Sequence, residues 1–312
     1  SEHSRITLDE DVQARMDELL RTHKVFEAHD LCPEYVEARS CLDDLRMTAQ
    51  HVCGDSKLPS TRCGDGEAKW QLSHGWGGPT LGSPGKAFVW WKLALDMDIP
   101  WWKSFGSWQE PDLDVKVNPT LVDAFFVGDV TVSHGIRCNI GGFAGRILGY
   151  NQEYYEVFRY LNPETGFCVE CNRTVDHADL EERGFDVGKE KYKKGADTLM
   201  YVISYPRAEN KSTAVFFSRT KPNVPTWVVN IVFSKVMPTL LKNIVPGILQ
   251  KLNSDPDFLA RYDEDQFGVY ADLRSFNEKA LAAMRGTSYD AQNMPTVDAV
   301  LGRFRAPCVH DP

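Results

Sequence analysis

Two hydrophobic periodicities alternate along the chain, one typical of helices and one typical of strands. Segments whose apolar residues recur every three or four positions predict helices, and these span residues 9–29, 33–53, 86–95, 225–252 and 272–285. Segments rich in Val, Phe, Tyr and Thr and bounded by Gly, Pro or Asn predict consecutive antiparallel strands, at residues 122–136, 153–161, 167–175, 198–205 and 213–220. Residues 54–85 contain eight glycines and three prolines, so we expect a loop there with one short strand.

The predicted order of elements is an α+β fold, with one curved antiparallel sheet and a long amphipathic C-terminal helix. That helix begins after Pro225, and Pro238 and Pro246 are expected to kink it. Residues 101–108 carry three tryptophans and a phenylalanine. This cluster fits either a membrane-interface anchor or an aromatic core under the edge of the sheet.

Composition narrows the class of protein. With 42% hydrophobic and 25% charged residues the chain is typical of a soluble globular protein, and its net charge of -9 disfavours nucleic acid as the main partner. No apolar run reaches the length of about 18 residues that a conventional spanning helix needs, and the N-terminus is too polar for a secretory signal. Eight cysteines are too sparse for a disulfide scaffold, which predicts free thiols and a cytoplasmic location. The chain starts at Ser1 rather than Met, which leaves open that a leader has been removed.

Four segments carry a resemblance to a known family: EYYEVFR (153–159), GFCVECNRTVDH (166–177), YVISYP (201–206) and VPTWVVN (224–230). They resemble the START (steroidogenic acute regulatory protein-related lipid transfer) domain. In that family an R-D-F/Y-V-x-x-R strand is followed by a glycine hairpin, a strand ending in S-V-x-H-P and a closing helix that starts P-x-W-L/V-V/L-N. Here Glu153 and Tyr154 replace the Arg-Asp pair, Thr174 replaces the Ser, and Ala178 replaces the Pro. These departures indicate a remote member.

The resemblance implies a helix-grip fold, in which the curved sheet and the closing helix enclose an apolar cavity. It divides the chain into an N-terminal helical extension (1–32), a START-like domain (33–252) and a C-terminal helical extension and tail (253–312). A ligand in such a cavity gains about 0.8 kcal/mol for each buried methylene. The expected function is non-catalytic binding and intermembrane transfer of one hydrophobic ligand, a sterol, phospholipid, fatty acid or carotenoid. We expect a monomer that contacts membranes transiently and peripherally.

Residue positions on the strand at 153–161 define the first candidate ligand contacts. In START domains the second Arg of the strand motif commonly points into the cavity, and Arg159 occupies that position. The resemblance therefore selects the face that Arg159 shares with Tyr155 and Val157. A buried guanidinium is costly unless it is paired, so we expect a ligand head group or a carboxylate beside it, from Asp129 or Glu170. The alternative is that Arg159 makes an exposed cross-strand pair on the outer face.

The other candidate contacts lie on the next strand and on the closing helix. On the strand at 167–175 we expect the apolar set, with Val169 and Cys171, to face the cavity and Arg173 to lie near its mouth. On the closing helix, the apolar side chains expected to cover the ligand are Val229, Phe233, Met237, Leu240 and Leu241. The alternative for these helix residues is an ordinary core stripe.

Two other classes of function stay open, a cavity-type enzyme such as a thioesterase or cyclase and a membrane-tethering module without a ligand. His134, His177 and Cys138 would supply a Cys-His pair, but no G-x-S-x-G elbow is present. The CxxC pair of Cys168 and Cys171 lies on a predicted strand, where the two sulfurs point to opposite faces. No second Cys or His pair sits at ligand spacing, so neither a metal nor another cofactor is expected.

Overall fold

Ten strands of the described chain form one sheet in the computed structural model of this protein. The structure describes residues 14–15, 62–64, 68–77, 88–107, 110–128, 134–142, 149–162, 167–188, 191–221, 225–265 and 268–284. Of the first predicted helix only Ala14 and Arg15 are described, and both are helical. The helix predicted at 33–53 lies outside the described residues.

The strands follow the order of the predicted ones. They are β1 (Arg62–Gly64), β2 (Ala68–Gly77), β3 (Phe88–Met97), β4 (Leu121–Val127), β5 (His134–Gly141), β6 (Asn151–Asn162), β7 (Phe167–Val175), β8 (Lys193–Lys194), β9 (Asp197–Ala208) and β10 (Lys211–Lys221). Their order across the sheet is β1-β2-β3-β10-β9-β7-β6-β5-β4, antiparallel throughout, and β8 pairs with β6 in parallel. The strands predicted at 153–161, 167–175, 198–205 and 213–220 are confirmed, whereas the one predicted at 122–136 is the two strands β4 and β5.

Helices lie between and after the strands. They are α1 (Trp101–Gly106), α2 (Pro111–Val117), α3 (His177–Glu182), α4 (Thr226–Ile231), a π-helical segment (Val232–Val236), α5 (Met237–Ser254), α6 (Pro256–Glu264) and α7 (Val269–Met284). Together α4, the π-helical segment and α5 are the closing helix predicted from residue 225 to 252. The helix predicted at 272–285 is α7.

The sheet has an inner face, which most of the helices cover, and an outer face. The register places Arg159 of β6 opposite Glu170 of β7 and Glu170 opposite Val202 of β9, so these residues and every second residue from them share the inner face. The inner face buries an apolar set against the helices: Trp70, Leu72, Leu93, Met97, Cys168, Val202 and Ala214. The outer face buries a smaller cluster under α3 and the segment after it: Val127, Ile136, Cys138, Ile140, Tyr154, Leu180 and Val187.

The prediction of a buried helix at residues 86–95 is wrong, because that segment is the strand β3. Every second residue of β3 from Val89 to Met97 is apolar and buried or half-buried, which is the two-residue period of a strand. Tryptophan and alanine at positions between them hide this period in the sequence. The partner strand β2 lies in the glycine-rich segment 54–85, which supplies two strands where one was expected.

The closing helix is buried unevenly along its length. Its α5 half buries Leu241, Val245, Leu249 and Leu252 in the core of the inner face. Residues 227–254 are also long and apolar enough to cross a membrane by length and composition. Because α5 packs in the core of the sheet, we treat this helix as the cover of the sheet. The π-helical segment ends just before Pro238, which has no N–H to donate to the carbonyl four residues earlier.

The two helices after α5 join the same core as the sheet. Asp255 caps α6 by accepting a hydrogen bond from the backbone N–H of Asp257 at 2.9 Å. The helices α6 and α7 bury a shared set of side chains in the core: Phe258, Tyr262, Tyr270, Leu273, Phe276 and Ala280. The division into segments 1–32, 33–252 and 253–312 stays a prediction.

Candidate functional site

A buried ion pair lies near the middle of the inner face. Arg159 Nε donates to Glu170 Oε2 at 2.6 Å, and Asn172 Nδ2 donates to Glu170 Oε1 at 2.7 Å. The side chain of Arg159 is only 2% exposed, so the alternative of an exposed pair on the outer face is wrong. The prediction that Glu170 pairs with Arg159 is confirmed, and Asp129 lies outside the described residues. Within the described chain, Arg159 Nη1 is buried and has no hydrogen-bond partner.

The face predicted for Tyr155 and Val157 is the inner face, as the register of β6 requires. Val157 is buried, and the Tyr155 hydroxyl donates to Glu153, which lies on the same face. Burial raises the pKa of the Glu153 carboxyl, although the Tyr155 hydroxyl opposes this rise. Burial, then the charge of Glu153, raises the pKa of Tyr155 well above its ordinary value, so the phenol stays protonated at neutral pH.

The prediction for β7 is wrong, because the polar set rather than the apolar set faces inward. Cys168, Glu170 and Asn172 are buried on the inner face. The strand positions of Val169 and Cys171 alternate with these on the opposite face, and their side chains lie outside the described part of the structure. A polar set can face inward here because Arg159 and Asn172 satisfy the Glu170 carboxylate.

Arg173 belongs to a charged cluster on the outer face and not to the mouth of a cavity. Its Nη2 donates to Glu156 Oε2 at 3.0 Å, and Arg183 Nη2 donates to Glu156 Oε1 at 2.6 Å. Glu156 is buried, whereas the Arg173 side chain is 44% exposed. Two guanidinium groups therefore neutralise one buried carboxylate behind the sheet.

The N-terminal half of the closing helix faces the sheet across half-buried apolar side chains. Val229 and Leu241 are buried, while Phe233, Met237 and Leu240 are half-buried. The centroids of the Phe233 and Trp91 rings are 6.3 Å apart. We call this region the candidate ligand region, and we define it by three residues of the sheet and two of the helix: Trp91, Met200, Phe216, Phe233 and Met237.

Uncharged hydroxyl groups border the candidate ligand region at the end of the strands. Thr198 Oγ1 lies 3.4 Å from Thr220 Oγ1, which lies 3.3 Å from Ser218 Oγ. Ser218 is opposite Trp91 of β3 in the register. The sequence does not predict this row of hydroxyl groups, because apolar residues occur on both faces of β9 and of β10. The cross-strand register is the information that identifies the row.

The opposite end of the inner face is closed by aromatic rings. Trp101 is fully buried, and its Nε1 donates to Ser204 Oγ of β9 at 3.0 Å. The Phe105 ring stacks on Trp101 with centroids 4.9 Å apart, and the Arg159 guanidinium lies 5.7 Å from the Phe105 centroid. Of the two alternatives for residues 101–108, the described Trp101 and Phe105 therefore fit the aromatic core.

Solved structures share this arrangement of sheet and closing helix. Human STARD10 is similar with a TM-score of 0.53 and 10% identity, over 74% of this chain and 86% of that chain. Human StAR-related lipid transfer protein 5 gives a TM-score of 0.48 and 12% identity, over 70% and 97% of the two chains. A STAR-related lipid transfer protein fragment from Xanthomonas axonopodis gives 0.46 and 10%, over 62% and 98%. The chain has the START fold. No family model matches the sequence, and no curated protein does.

The thiols described within this START fold are not activated nucleophiles. Burial raises the pKa of Cys138 to about 11, and burial raises the pKa of Cys168 further. Thiols with raised pKa values stay protonated at neutral pH and react slowly. Among the residues that the structure describes, no three His, Cys, Asp or Glu side chains gather as metal ligands.

Proposed function

We propose that this chain binds one hydrophobic molecule between the inner face and the closing helix and transfers it between membranes, without covalent chemistry. The observation that carries the proposal is the uneven burial of the closing helix. Its α5 half is packed in the core, but around Phe233 and Met237 the apolar side chains of helix and sheet stay half-buried. An apolar ligand placed there would complete their burial, with a gain of about 25 cal/mol for each Å² removed from water. The START fold of human STARD10 supports the same layout.

The buried guanidinium of Arg159 on the inner face supports a ligand with one polar group. The unpartnered Nη1 of Arg159 is a hydrogen-bond donor at the floor of the inner face. Glu170 already neutralises the guanidinium, so this atom offers a hydrogen bond rather than an unpaired charge. We propose that an oxygen of the ligand accepts this hydrogen bond, and that Tyr155 and Val157 line the same face. The proposed ligand is a sterol, a phospholipid, a fatty acid or a carotenoid.

The exposed end of the closing helix supports a peripheral contact with membranes. Trp227 is 66% exposed and Ile231 is 45% exposed, and a spacing of four residues places both on one side of α4. Exposed Lys235 follows on the same side one turn later. Indole and aliphatic groups beside a cation are typical of helices that lie at a membrane interface. We propose a monomeric cytoplasmic carrier that contacts membranes through α4, and the free thiols of Cys138 and Cys168 fit a reducing compartment.

Movement of α4 is the proposed route for the ligand. The π-helical segment precedes Pro238 and divides the closing helix into the exposed α4 end and the packed α5 half. A helix interrupted in this way bends more readily than a continuous one, because fewer backbone hydrogen bonds resist the bend. Opening at Val232–Val236 would uncover Phe233 and Trp91 while α5 stays in the core.

The test is organic extraction of the natively purified protein, followed by mass spectrometry, with a control protein purified from the same host. We expect a sterol, carotenoid, fatty acid or phospholipid in stoichiometric amount, and we expect the purified protein to move that molecule from donor to acceptor vesicles. An empty extract, both before and after incubation with mixed vesicles, would contradict the proposal. Turnover of the extracted molecule into a product would favour the cavity-type enzyme instead.

A further inference from the structure

Two exposed segments that are far apart in sequence lie at the same end of the sheet. One is the exposed side of α4 and of the π-helical segment that follows it. The other is residues 191–194, which end in the short strand β8 and whose four side chains are all exposed. We define the basic rim as five residues of these two segments: Trp227, Ile231, Lys235, Tyr192 and Lys193.

The ends of the strands place the two segments close together. Lys221, the last residue of β10, is opposite Asp197, the first residue of β9. β9 begins three residues after β8 ends, and α4 begins five residues after β10 ends. β8 pairs with β6 just beyond the end of β7, so it continues the line of β7 in the sheet. β8 and the end of β10 are therefore two strand spacings apart, which is about 10 Å.

The register places Lys193 on the side of the sheet that the closing helix covers. Its partner is Asn151 of β6, which belongs to the inner face. The next residue, Lys194, is in register with Gln152 on the outer face, and it forms an ion pair with Asp176 at 2.5 Å. Successive side chains of a strand alternate between the two faces, so Lys193 lies on the same side of the sheet as α4.

The charge of the two segments is opposite to that of the whole chain. The chain has a net charge of -9, whereas residues 225–254 contain three lysines and no Asp or Glu, and residues 189–194 contain four lysines and one glutamate. Positive charge gathered at one end orients a net acidic protein toward an anionic partner. Indole, phenol and aliphatic side chains beside these cations are typical of segments that lie among lipid head groups.

We propose that the basic rim docks this chain on an anionic phospholipid surface, with both segments in contact with the head groups. This inference rests on the proposed function, to which it adds a second contact segment and a preference for anionic lipid. The hydroxyl groups of Thr198 and Thr220 lie one residue inside the two strand ends. Docking through the basic rim therefore turns the hydroxyl-bordered side of the candidate ligand region toward the bilayer.

Single neutralising substitutions test each segment separately. Lys193→Gln and Lys235→Gln each remove one positive charge from the basic rim, and the double variant removes both. Lys211→Gln is the matched control, because Lys211 begins β10 and so lies at the opposite end of that strand from Lys221. Its ion pair with Asp98 is exposed on both sides and contributes little to stability. All three lysines are exposed, so we expect every variant to fold.

The measurement is co-sedimentation with vesicles of phosphatidylcholine alone and with vesicles that also contain phosphatidylserine. A lysine at an anionic membrane surface contributes about fivefold in affinity, so each rim variant should lose about fivefold on the anionic vesicles and the double variant about 25-fold. Lys211→Gln should bind as the wild-type chain does, and all variants should bind the neutral vesicles equally. These differences should disappear at about 1 M salt, where the Debye length is about 3 Å.

The outcomes separate this inference from the proposed function. Equal binding of the wild-type chain to both kinds of vesicle would show that the inference is wrong, while a lipid found on extraction would still support the carrier. If Lys235→Gln weakens binding and Lys193→Gln does not, the contact is through the helix alone and the two-segment surface is wrong. If Lys211→Gln loses as much affinity as the rim variants, the effect is one of net charge and the inference is again wrong. If the wild-type chain binds neither kind of vesicle and yields no lipid, the proposed function fails and the inference fails with it.

Discussion

Arg159 and Glu170 form an ion pair that is buried on the inner face, with Nε and Oε2 2.6 Å apart and both side chains almost fully removed from water. Burying two charges costs free energy that their attraction offsets only while both are present. Glu170→Leu therefore leaves an unpaired buried guanidinium, and we expect a loss of about 3–5 kcal/mol in the free energy of unfolding. Urea denaturation monitored by circular dichroism measures this loss.

The double variant Arg159→Leu with Glu170→Leu is the control for that loss. It removes both charges and keeps the apolar volume, so we expect its free energy of unfolding to lie closer to that of the wild-type chain than either single variant does. It should also bind ligands with and without a polar head equally well, because Arg159 Nη1 is gone. A double variant as unstable as the sum of the two single variants would contradict the pairing argument.

Ser204 and Ser212 are two buried serines of the inner face with opposite expected responses to alanine. Ser204→Ala leaves the buried Trp101 N–H without its acceptor, and we expect a cost of about 1–3 kcal/mol in the free energy of unfolding. Ser212 Oγ is buried with no hydrogen-bond partner in the described chain, so Ser212→Ala should be neutral or stabilising. Thermal denaturation of the two variants side by side checks both. Equal losses would mean that the hydrogen bond to Trp101 contributes little.

The sequence predicts the strands of this fold better than it predicts which side of each strand faces the helices. On β6 the resemblance to START domains identifies the inner face through Arg159, and the structure agrees. On β7 the polar residues Glu170 and Asn172 face inward, since their charge and hydrogen bonds are satisfied by residues on other positions of the sheet. Such satisfaction depends on cross-strand register and on hydrogen bonds between side chains, and hydrophobicity along one strand does not reveal it.

Hydrophobicity along a single segment also fails to identify β3 as a strand and to bring Phe276 together with Trp101. β3 lies between β2 and β10, and Trp90 and Ala94 add apolar positions between those of its inner face, so the strand resembles a buried helix in sequence. Phe276 packs against Trp101 with the two rings tilted, although 175 positions separate them in the sequence. No spacing rule connects residues at such a distance; only the fold brings them together.

Glu153 gives the stability of the chain an unusual dependence on pH. Burial raises the pKa of this carboxyl, so the folded chain binds its proton more readily than the unfolded chain does. Stability from this group is therefore present below the ordinary pKa of about 4.3 and is lost as the pH rises through the raised value. Glu153→Gln keeps an acceptor for the Tyr155 hydroxyl and cannot ionise.

We therefore expect Glu153→Gln to be more stable than the wild-type chain near pH 7 and the difference to shrink toward about pH 3. Melting temperatures across this range, with near-ultraviolet circular dichroism to confirm the same tertiary structure, measure the effect. A variant that is less stable at neutral pH and equal at acidic pH would show that the native state favours the ionised carboxylate.

Trp227 and Ile231 are the side chains through which we expect α4 to contact a membrane. Substituting either by alanine removes apolar surface worth about 1.5–3 kcal/mol when fully buried, so each change should weaken binding to vesicles of phosphatidylcholine and phosphatidylserine by about tenfold or more. Vesicle co-sedimentation measures the binding, and Val122→Ala on β4 is the control because Val122 is as exposed as Ile231 but lies on an edge strand of the sheet.

Both α4 variants should also transfer ligand between vesicles more slowly while they retain bound ligand, since the inner face is unchanged. If both variants bind vesicles as the wild-type chain and Val122→Ala do, membrane contact through α4 is wrong and another surface performs it.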